Sequence, residues 1–198
     1  MSKPQSDLIQ SCFHTEVSRR DFFDRLVKFG ITGAMATLIP TTVFSRVLAP
    51  PPPKQDNWRR CNKCLAMFYN GYRDKGRCPK GGAHMKRAED VSNFKLTYNS
   101  AGPGQRDWRF CNKCQALFFD GYPNKGVCPA GGGHFAQGFN FMLLHDSNVP
   151  GQRDWRFCNK CEVMFYNGWD EKGVCAARGV HVAAGYNFVL DNTVRIDE

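Results

Sequence analysis

Long apolar segments and aliphatic side chains are scarce in this chain of 198 residues. The mean hydropathy is −0.48, and 19 glycines and 11 prolines interrupt the sequence throughout. This composition argues against a helical protein with one large continuous core and favours a small, loop-rich, all-β fold. Because such a chain buries little apolar surface, its 10 cysteines are expected to stabilise it through disulfides or metal ions.

Patterns typical of catalysis and of nucleic-acid binding are missing as well. His145 and Asp146 belong to no recognisable catalytic set, and His145 is interpreted as a solvated loop histidine. The net charge is +9, but residues 58–107 hold 11 Lys and Arg against four Asp and Glu, and the remaining repeats are close to balanced. We therefore expect neither an enzyme nor a nucleic-acid-binding protein.

The first 49 residues have the pattern of an export signal. Ser-Arg-Arg-Asp-Phe-Phe at 18–23 precedes a mildly apolar run from Phe29 to Phe44. The paired arginines, Arg19 and Arg20, resemble those of a bacterial twin-arginine (Tat) signal, although Asp24 replaces the usual lysine. The resemblance implies an N-terminal helical signal, the Tat export machinery as a partner, and a periplasmic or secreted protein.

Membrane anchoring through residues 1–49 is an alternative that the sequence leaves open. The apolar run has about 16 residues and contains Pro40, whereas roughly 20 apolar residues are needed to span a bilayer comfortably. An uncleaved signal would therefore give only a marginal anchor. Residues 50–57, which begin with four prolines, are predicted to form a stiff spacer between the signal and the rest of the chain.

The remaining sequence consists of three similar repeats, at 58–107, 108–154 and 155–198. Each begins with Trp-Arg-x-Cys-Asn-Lys-Cys, and its ligands follow the spacing C-x2-C-x13-C-x5-H. The segment after the histidine is longer in the first repeat. The spacing of the four ligands is the same in every repeat, as expected if one ion holds them. The predicted metal ligands are Cys61, Cys64, Cys78 and His84; Cys111, Cys114, Cys128 and His134; and Cys158, Cys161, Cys175 and His181.

This spacing predicts three structural Zn²⁺ ions as cofactors. A C-x2-C pair brings two thiolates to one ion, and a second pair from another turn completes a tetrahedron. Three cysteines per repeat cannot pair fully within the repeat, which disfavours disulfides but leaves them and an iron site as alternatives. In the third repeat Arg178 replaces a glycine between cysteine and histidine, so we expect a looser turn there.

Strand-like patterns surround the predicted ligands. Apolar and polar residues alternate in 93–98, and short apolar runs follow each C-x2-C pair. Each repeat is predicted to be a β-hairpin plus one strand, stapled by zinc because so small a unit buries too little surface to fold alone. The repeats would lie as separate beads or close with pseudo-threefold, β-trefoil-like symmetry, and their short junctions favour closure.

Two sets of aromatic residues recur in the repeats. Trp58, Trp108 and Trp155 come just before the first cysteines and are predicted to be core residues. The second set follows Asn-Gly or Asp-Gly on predicted turns, where a ring could stack on a sugar or pack on its own repeat. These candidate ligand-binding residues are Tyr72, Tyr122 and Trp169.

The motif Trp-Arg-x-Cys-x-Lys-Cys-x-x-Leu-Phe-Phe, followed by Cys-Pro-Ala-Gly-Gly-x-His, resembles tandem zinc-binding repeats of uncharacterised secreted bacterial and fungal proteins. Residues 108–134 match it best, and the resemblance implies a zinc-binding domain without implying a function. We expect an exported, non-catalytic zinc-repeat binding or scaffold protein that makes protein–protein contacts as an accessory subunit of a membrane complex. A carbohydrate- or cell-envelope-binding protein, with a glycan as ligand, is the alternative.

Overall fold

The structure is a computed structural model that describes residues 50–192. Within this range the chain forms nine strands and no helix, so the all-β class predicted from composition is confirmed. The signal predicted at 1–49, with Arg19 and Arg20, lies outside the described residues. In the described part, no helix is long and apolar enough to cross a membrane.

Each repeat contributes three strands in the same order. They are β1 (Lys54–Arg60), β2 (Met67–Tyr69) and β3 (Phe94–Tyr98) in repeat 1; β4 (Gln105–Cys111), β5 (Leu117–Phe119) and β6 (Ala136–His145) in repeat 2; and β7 (Gln152–Cys158), β8 (Met164–Tyr166) and β9 (Ala183–Asn192) in repeat 3. The first strand of each repeat pairs antiparallel with both others. This is the predicted hairpin plus one strand.

The first strand of each repeat begins earlier than the sequence pattern indicates. β1 starts at Lys54, inside the predicted spacer 50–57, and β4 and β7 start before the repeat boundaries drawn at 108 and 155. The tryptophan holds the beginning of the strand in place, because Trp58 Nε1 donates to Gln55 Oε1 at 3.1 Å. The register shifts between Gln55 and Trp58, where Asn57 has φ 65°. This irregularity interrupts the period of two by which strands are recognised.

The third strands of the repeats pair with one another around a closed ring. β3 pairs with β6, β6 with β9, and β9 with β3; the opposed residues include Thr97–Met142, Leu144–Val189 and Phe94–Asn192. The short second strands also meet, through single bridges that join Phe68–Ala116, Phe118–Val163 and Ala66–Phe165. The three repeats therefore form one closed unit with a threefold pattern of contacts, and are not separate beads.

Two apolar clusters lie on opposite faces of the second strands. Because side chains alternate along a strand, Phe68 packs with the cysteines, whereas Met67 packs with the tryptophans. All three tryptophans are fully buried, which confirms that they are core residues. Each contacts a ring of another repeat, with centroid separations of 5.2 Å for Trp58–Phe141, 5.1 Å for Trp108–Phe188 and 5.0 Å for Trp155–Phe94.

A glycine in each repeat fits closely against the backbone of the next repeat around the ring. Gly126 has φ +60°, and a Cβ there would lie 2.3 Å from the carbonyl oxygen of Cys161. Gly76 and Gly173 make the same approach to Cys114 and Cys64. Backbone hydrogen bonds cross the boundary beside these contacts; the amides of Tyr69, Phe119 and Tyr166 donate to the carbonyls of Gln115, Glu162 and Leu65 at 3.0, 2.9 and 3.1 Å.

The substitution Gly126→Ala is expected to destabilise the zinc-loaded chain strongly, because the new methyl group would force repeats 2 and 3 apart. Gly132→Ala is the matched control, since Gly132 has φ +62° but nothing within 4 Å of a Cβ. Gly132→Ala should lower the free energy of unfolding by about 1–2 kcal/mol, because a residue with a Cβ disfavours the left-handed conformation. Gly126→Ala should lower it by about 1–3 kcal/mol more. Urea unfolding measures both, and equal losses would contradict the tight contact.

Candidate metal centres

The first two ligands of each site lie on a tight turn at the end of the first strand. In repeat 1 the amide of Cys61 donates to Ala66 O at 2.9 Å, and the amide of Leu65 donates back to Cys61 O at 3.0 Å. Leu65 has φ 63°, and its counterparts Gln115 and Glu162 have φ 63° and 64°. This turn, called the knuckle below, directs both thiols of a C-x2-C pair to the same side.

The third cysteine and the histidine lie on a second turn, which has the same hydrogen bonds in all three repeats. In repeat 1 the amide of Cys78 donates to Gly82 O at 2.8 Å, and the amide of Gly81 donates to Cys78 O at 2.9 Å. In repeat 3, Arg178 takes the place of Gly81 with φ 72° and donates to Cys175 O at 3.0 Å. The looser turn expected in repeat 3 is therefore not found.

The two turns bring four ligand atoms together in each repeat, and the sets are those predicted from spacing. All twelve residues are buried, and the ligand atoms of a set lie within 4.8 Å of one another. Tetrahedral zinc bonds of about 2.3 Å to sulfur and 2.0–2.1 Å to nitrogen imply S···S and S···N separations of about 3.8 and 3.6 Å.

The observed separations agree with these values. Cys61 Sγ and Cys78 Sγ are 3.9 Å apart, as are the sulfurs of Cys158 and Cys175. The second cysteine of each knuckle lies 3.5–3.6 Å from histidine Nδ1. The nine cysteines of the described residues are free, and sulfurs at 3.9 Å are far from the 2.05 Å of a disulfide. The three groups therefore fit three structural zinc sites.

The histidines present Nδ1 to the sulfurs and turn Nε2 away. Nε2 of His134 donates to Cys161 O of repeat 3 at 3.1 Å, a contact that fixes the tautomer and orients the ring. Each imidazole also stacks on a phenylalanine of the second strand, at centroid separations of 5.1, 4.8 and 4.7 Å. Repeat 2 is thus linked to the next metal site through one of its own ligands.

The closely spaced ligands of repeat 2 shift one another's pKa values. Hydrogen bonds with Cys114 and Cys128 lower the pKa of Cys111, whereas hydrogen bonds with Cys111 and Cys128 raise the pKa of Cys114 well above its usual value. Burial lowers the pKa of His134, but its hydrogen bonds with Cys111 and Cys128 outweigh burial and raise the pKa to about 9. Because zinc binds thiolates and a neutral imidazole, binding of the ion displaces protons from Cys114 and His134.

Two lysines in each repeat hold the site's loops in place, a role that the ligand spacing does not indicate. Lys113, between the two knuckle cysteines, donates to Gly131 O of the second turn at 2.6 Å. Lys125 donates to the carbonyls of Asp120 and Tyr122 at 2.6 and 2.7 Å. Equivalent bonds occur in repeats 1 and 3. Their recurrence in all three repeats was the signal that could have revealed them.

The candidate ligand-binding aromatics lie at three separate boundaries between repeats. Tyr72, Tyr122 and Trp169 are 54%, 51% and 38% exposed. Tyr122 packs on Phe119 of its own repeat, with centroids 5.0 Å apart, and on Phe157 of repeat 3 at 6.1 Å. The predicted turn aromatics are therefore both packed and accessible, with one at each boundary.

The prediction that His145 lies in a solvated loop is wrong. It ends β6, and its ring stacks on Tyr186 with centroids 3.7 Å apart. Its Nδ1 lies 3.2 Å from Asp146 Oδ2, and its side chain is only 23% exposed. The strand continues further than its apolar residues indicate, because β6 pairs with β9 up to His145.

Comparison of the chain with protein-family models, curated proteins and solved structures found no significant match. The resemblance to tandem secreted repeats therefore stays a prediction, and the geometry of the described residues carries the functional argument.

Three zinc atoms per chain are expected in purified protein, because each buried set supplies four protein ligands. Excess chelator should unfold all three repeats in one transition, since each knuckle is hydrogen-bonded to the preceding repeat. Elemental analysis and near-ultraviolet circular dichroism measure the two effects.

A single-ligand variant separates a closed ring from independent sites. Cys111→Ser should bind at most two zinc ions and lower the melting temperature of all three repeats together. Cys12→Ser is the control, because Cys12 belongs to none of the three ligand sets, and it should retain three. Two repeats that melt as in the wild type after Cys111→Ser would contradict the closed ring.

The acid in the third knuckle is expected to destabilise the fold. Glu162 is only 6% exposed, its Oε2 has no hydrogen-bond partner among the described residues, and burial raises its pKa. A raised pKa means that the folded chain disfavours the ionised form present at neutral pH. Glu162→Gln, the residue of repeat 2, should therefore increase the free energy of unfolding by about 1 kcal/mol.

Glu162→Leu, which copies repeat 1, should stabilise at least as much as Glu162→Gln. The control is Glu171→Gln at an exposed position, which should change stability by less than about 0.5 kcal/mol. Urea unfolding of the zinc-loaded chains tests this, and a loss of stability in Glu162→Gln would show that the carboxylate is favourable where it lies.

Proposed function

We propose that this chain is an exported, non-catalytic binding module in which three zinc ions have a structural role. The burial of each complete ligand set carries the proposal. The cysteines and histidines are at most 4% exposed, and four protein ligands occupy every position of a tetrahedral ion. Such an ion has no open position for a substrate or an activated water, so it supplies folding energy and not catalysis.

The closed ring supports the scaffold part of this proposal. Each repeat presents one turn, held by its lysine, at the boundary with the next repeat, and each turn carries an exposed aromatic residue. The cyclic contacts of the second and third strands also support the finer β-trefoil-like classification. A rigid ring that displays aromatic turns is suited to recognition, because its surface needs little ordering on binding.

A protein partner, such as a membrane complex, is part of the same proposal. The basic residues of repeat 1 support it, since Arg73, Arg77 and Lys80 are exposed and a positive surface favours an acidic partner. The Arg19–Arg20 pattern supports Tat export to the periplasm or beyond, with an uncleaved signal as a route to membrane association. Export of a folded chain would protect its thiolates, because zinc would already be bound.

Carbohydrate or cell-envelope binding is the second candidate function. One observation favours it: a cavity of about 310 Å³ lies between repeats 2 and 3 beside Tyr122, with aromatic and uncharged residues around it. Its volume is at the lower end of the roughly 300–1,000 Å³ typical of small-molecule sites.

Photo-crosslinking in cells tests the binding role. A benzophenone amino acid in place of Tyr122 is expected to capture a discrete partner in the periplasmic or envelope fraction. The control position is Ala130, which is exposed on the second turn of the same repeat and should give no product. No product from position 122, or equal products from both, would contradict a binding role at this surface, and a chain confined to the cytoplasm would contradict export.

A further inference from the structure

The boundary between repeats 2 and 3 forms an open cleft. Gln105, Phe119 and Tyr122 of repeat 2 line one side, and Phe157, Gly185 and Tyr186 of repeat 3 line the other. Tyr122 and Tyr186 are 51% and 46% exposed, so parts of both rings are open to solvent. Below, this site is called cleft 2/3.

Cleft 2/3 combines flat rings with uncharged polar groups. Its lining residues include no Asp, Glu, Lys, Arg or His. Gln105 Oε1 accepts from Trp108 Nε1 at 3.1 Å, and this bond orients the amide so that its Nε2 group, which bonds no described residue, remains available as a donor. The tyrosine hydroxyls add two groups that can both donate and accept.

The boundary between repeats 1 and 2 has the same elements and is called cleft 1/2. Tyr72 packs on Phe110 with centroids 5.9 Å apart, as Tyr122 does on Phe157. Phe139, which is exposed, occupies the position of Tyr186 and stacks on Tyr98 at 3.9 Å, as Tyr186 stacks on His145. Gln55 accepts from Trp58 Nε1 at 3.1 Å, so it corresponds to Gln105.

At the third boundary, between repeats 3 and 1, an arginine replaces one of the aromatic residues. Arg60 stands where the other boundaries have Phe110 and Phe157, and its guanidinium lies 4.1 Å from the ring centre of Trp169. Arg60 is also paired with Asp90 at 3.2 Å, and both side chains are only 10% exposed. Asp90 belongs to the segment that is longer in repeat 1, so the extra residues bring a carboxylate that holds the arginine over the tryptophan.

The second ring of the other clefts is missing at this third boundary. Ser92 stands where cleft 1/2 and cleft 2/3 have Phe139 and Tyr186. Its Oγ accepts from Asn192 Nδ2 at 3.3 Å, in place of the stacked pair. Trp169 therefore packs against the guanidinium of Arg60, and Ser92 supplies no second aromatic ring at this boundary.

We propose that cleft 1/2 and cleft 2/3 each bind one neutral pyranose residue of a glycan, and that the boundary at Trp169 binds none. The inference rests on the proposed binding role and specifies its ligand. A pyranose has an apolar C–H face that packs on an aromatic ring and hydroxyl groups that pair with amide and phenol groups. Both features match the lining of cleft 2/3.

The same lining disfavours other ligands. A charged ligand would lose water without gaining an ion pair, because no charged side chain lines cleft 2/3. A cavity of about 310 Å³ has room for one ring-sized group.

Isothermal titration of the zinc-loaded chain tests the proposal. The probes are maltotriose, chitotriose, mannotriose and galactotriose, with sialyllactose as the acidic control. At least one neutral trisaccharide is expected to bind at about two sites per chain. Sialyllactose should bind no more tightly than that trisaccharide. Tyr122→Ala with Tyr186→Ala, and Tyr72→Ala with Phe139→Ala, should each remove one site, and the combined variant should remove both.

Trp169→Ala is the matched control and should leave the sugar affinity and the number of sites unchanged. Tyr122→Phe keeps the ring and should weaken the site less than Tyr122→Ala, which should weaken it at least about tenfold. Zinc content and near-ultraviolet circular dichroism confirm that each variant is folded.

Loss of sugar binding in Trp169→Ala would overturn the assignment of sites, and no binding of any neutral trisaccharide to the wild type at millimolar concentration would overturn the sugar ligand. Capture of a protein at position 122 in that second case would leave the binding role intact.

Discussion

The knuckle of each metal site is the constraint on which the rest of the structure depends, because it serves two repeats at once. Within its own repeat it directs two thiols toward one ion. Its last residue, in the left-handed conformation, turns a carbonyl toward the preceding repeat, where it accepts from Tyr69, Phe119 or Tyr166. A glycine of that preceding repeat packs on the same backbone. Distortion of one metal site is therefore transmitted to its neighbour.

This sharing explains how a chain with so little apolar surface forms one stable unit. A repeat of 50 residues or fewer falls below the size at which burial alone suffices, and its second strand has only three residues. Zinc ligation fixes the turns, and the ring then provides each short strand with a partner from another repeat. Closure also leaves the core strands without a long exposed edge on which other chains could assemble.

The sequence predicted the metal ligands fully and the strands approximately, for physical reasons. Ligand spacing is local, because two adjacent turns create each site, so Cys111, Cys114, Cys128 and His134 could be recognised from the chain alone. The contacts between repeats could not, since they join residues far apart in sequence through backbone groups that carry no side-chain signature. The knuckle illustrates the limit: the C-x2-C spacing indicates a tight turn, but the left-handed position is occupied by Leu65, Gln115 and Glu162 and not by glycine. The residue types therefore did not reveal the carbonyl that this position turns toward the preceding repeat.

The three repeats share their scaffold but not their surface. Ligands, tryptophans, glutamine acceptors and lysine clamps occur in each of them. The residues at the boundaries between repeats differ. Arg60 stands in the place of Phe110 and Phe157, and the longer segment after His84 brings Asp90 to pair with it. Both changes are needed together, because a buried guanidinium without a carboxylate would be costly. This paired difference at one boundary points to different uses of the three surfaces, because Phe110 and Phe157 already meet the needs of folding at the other two.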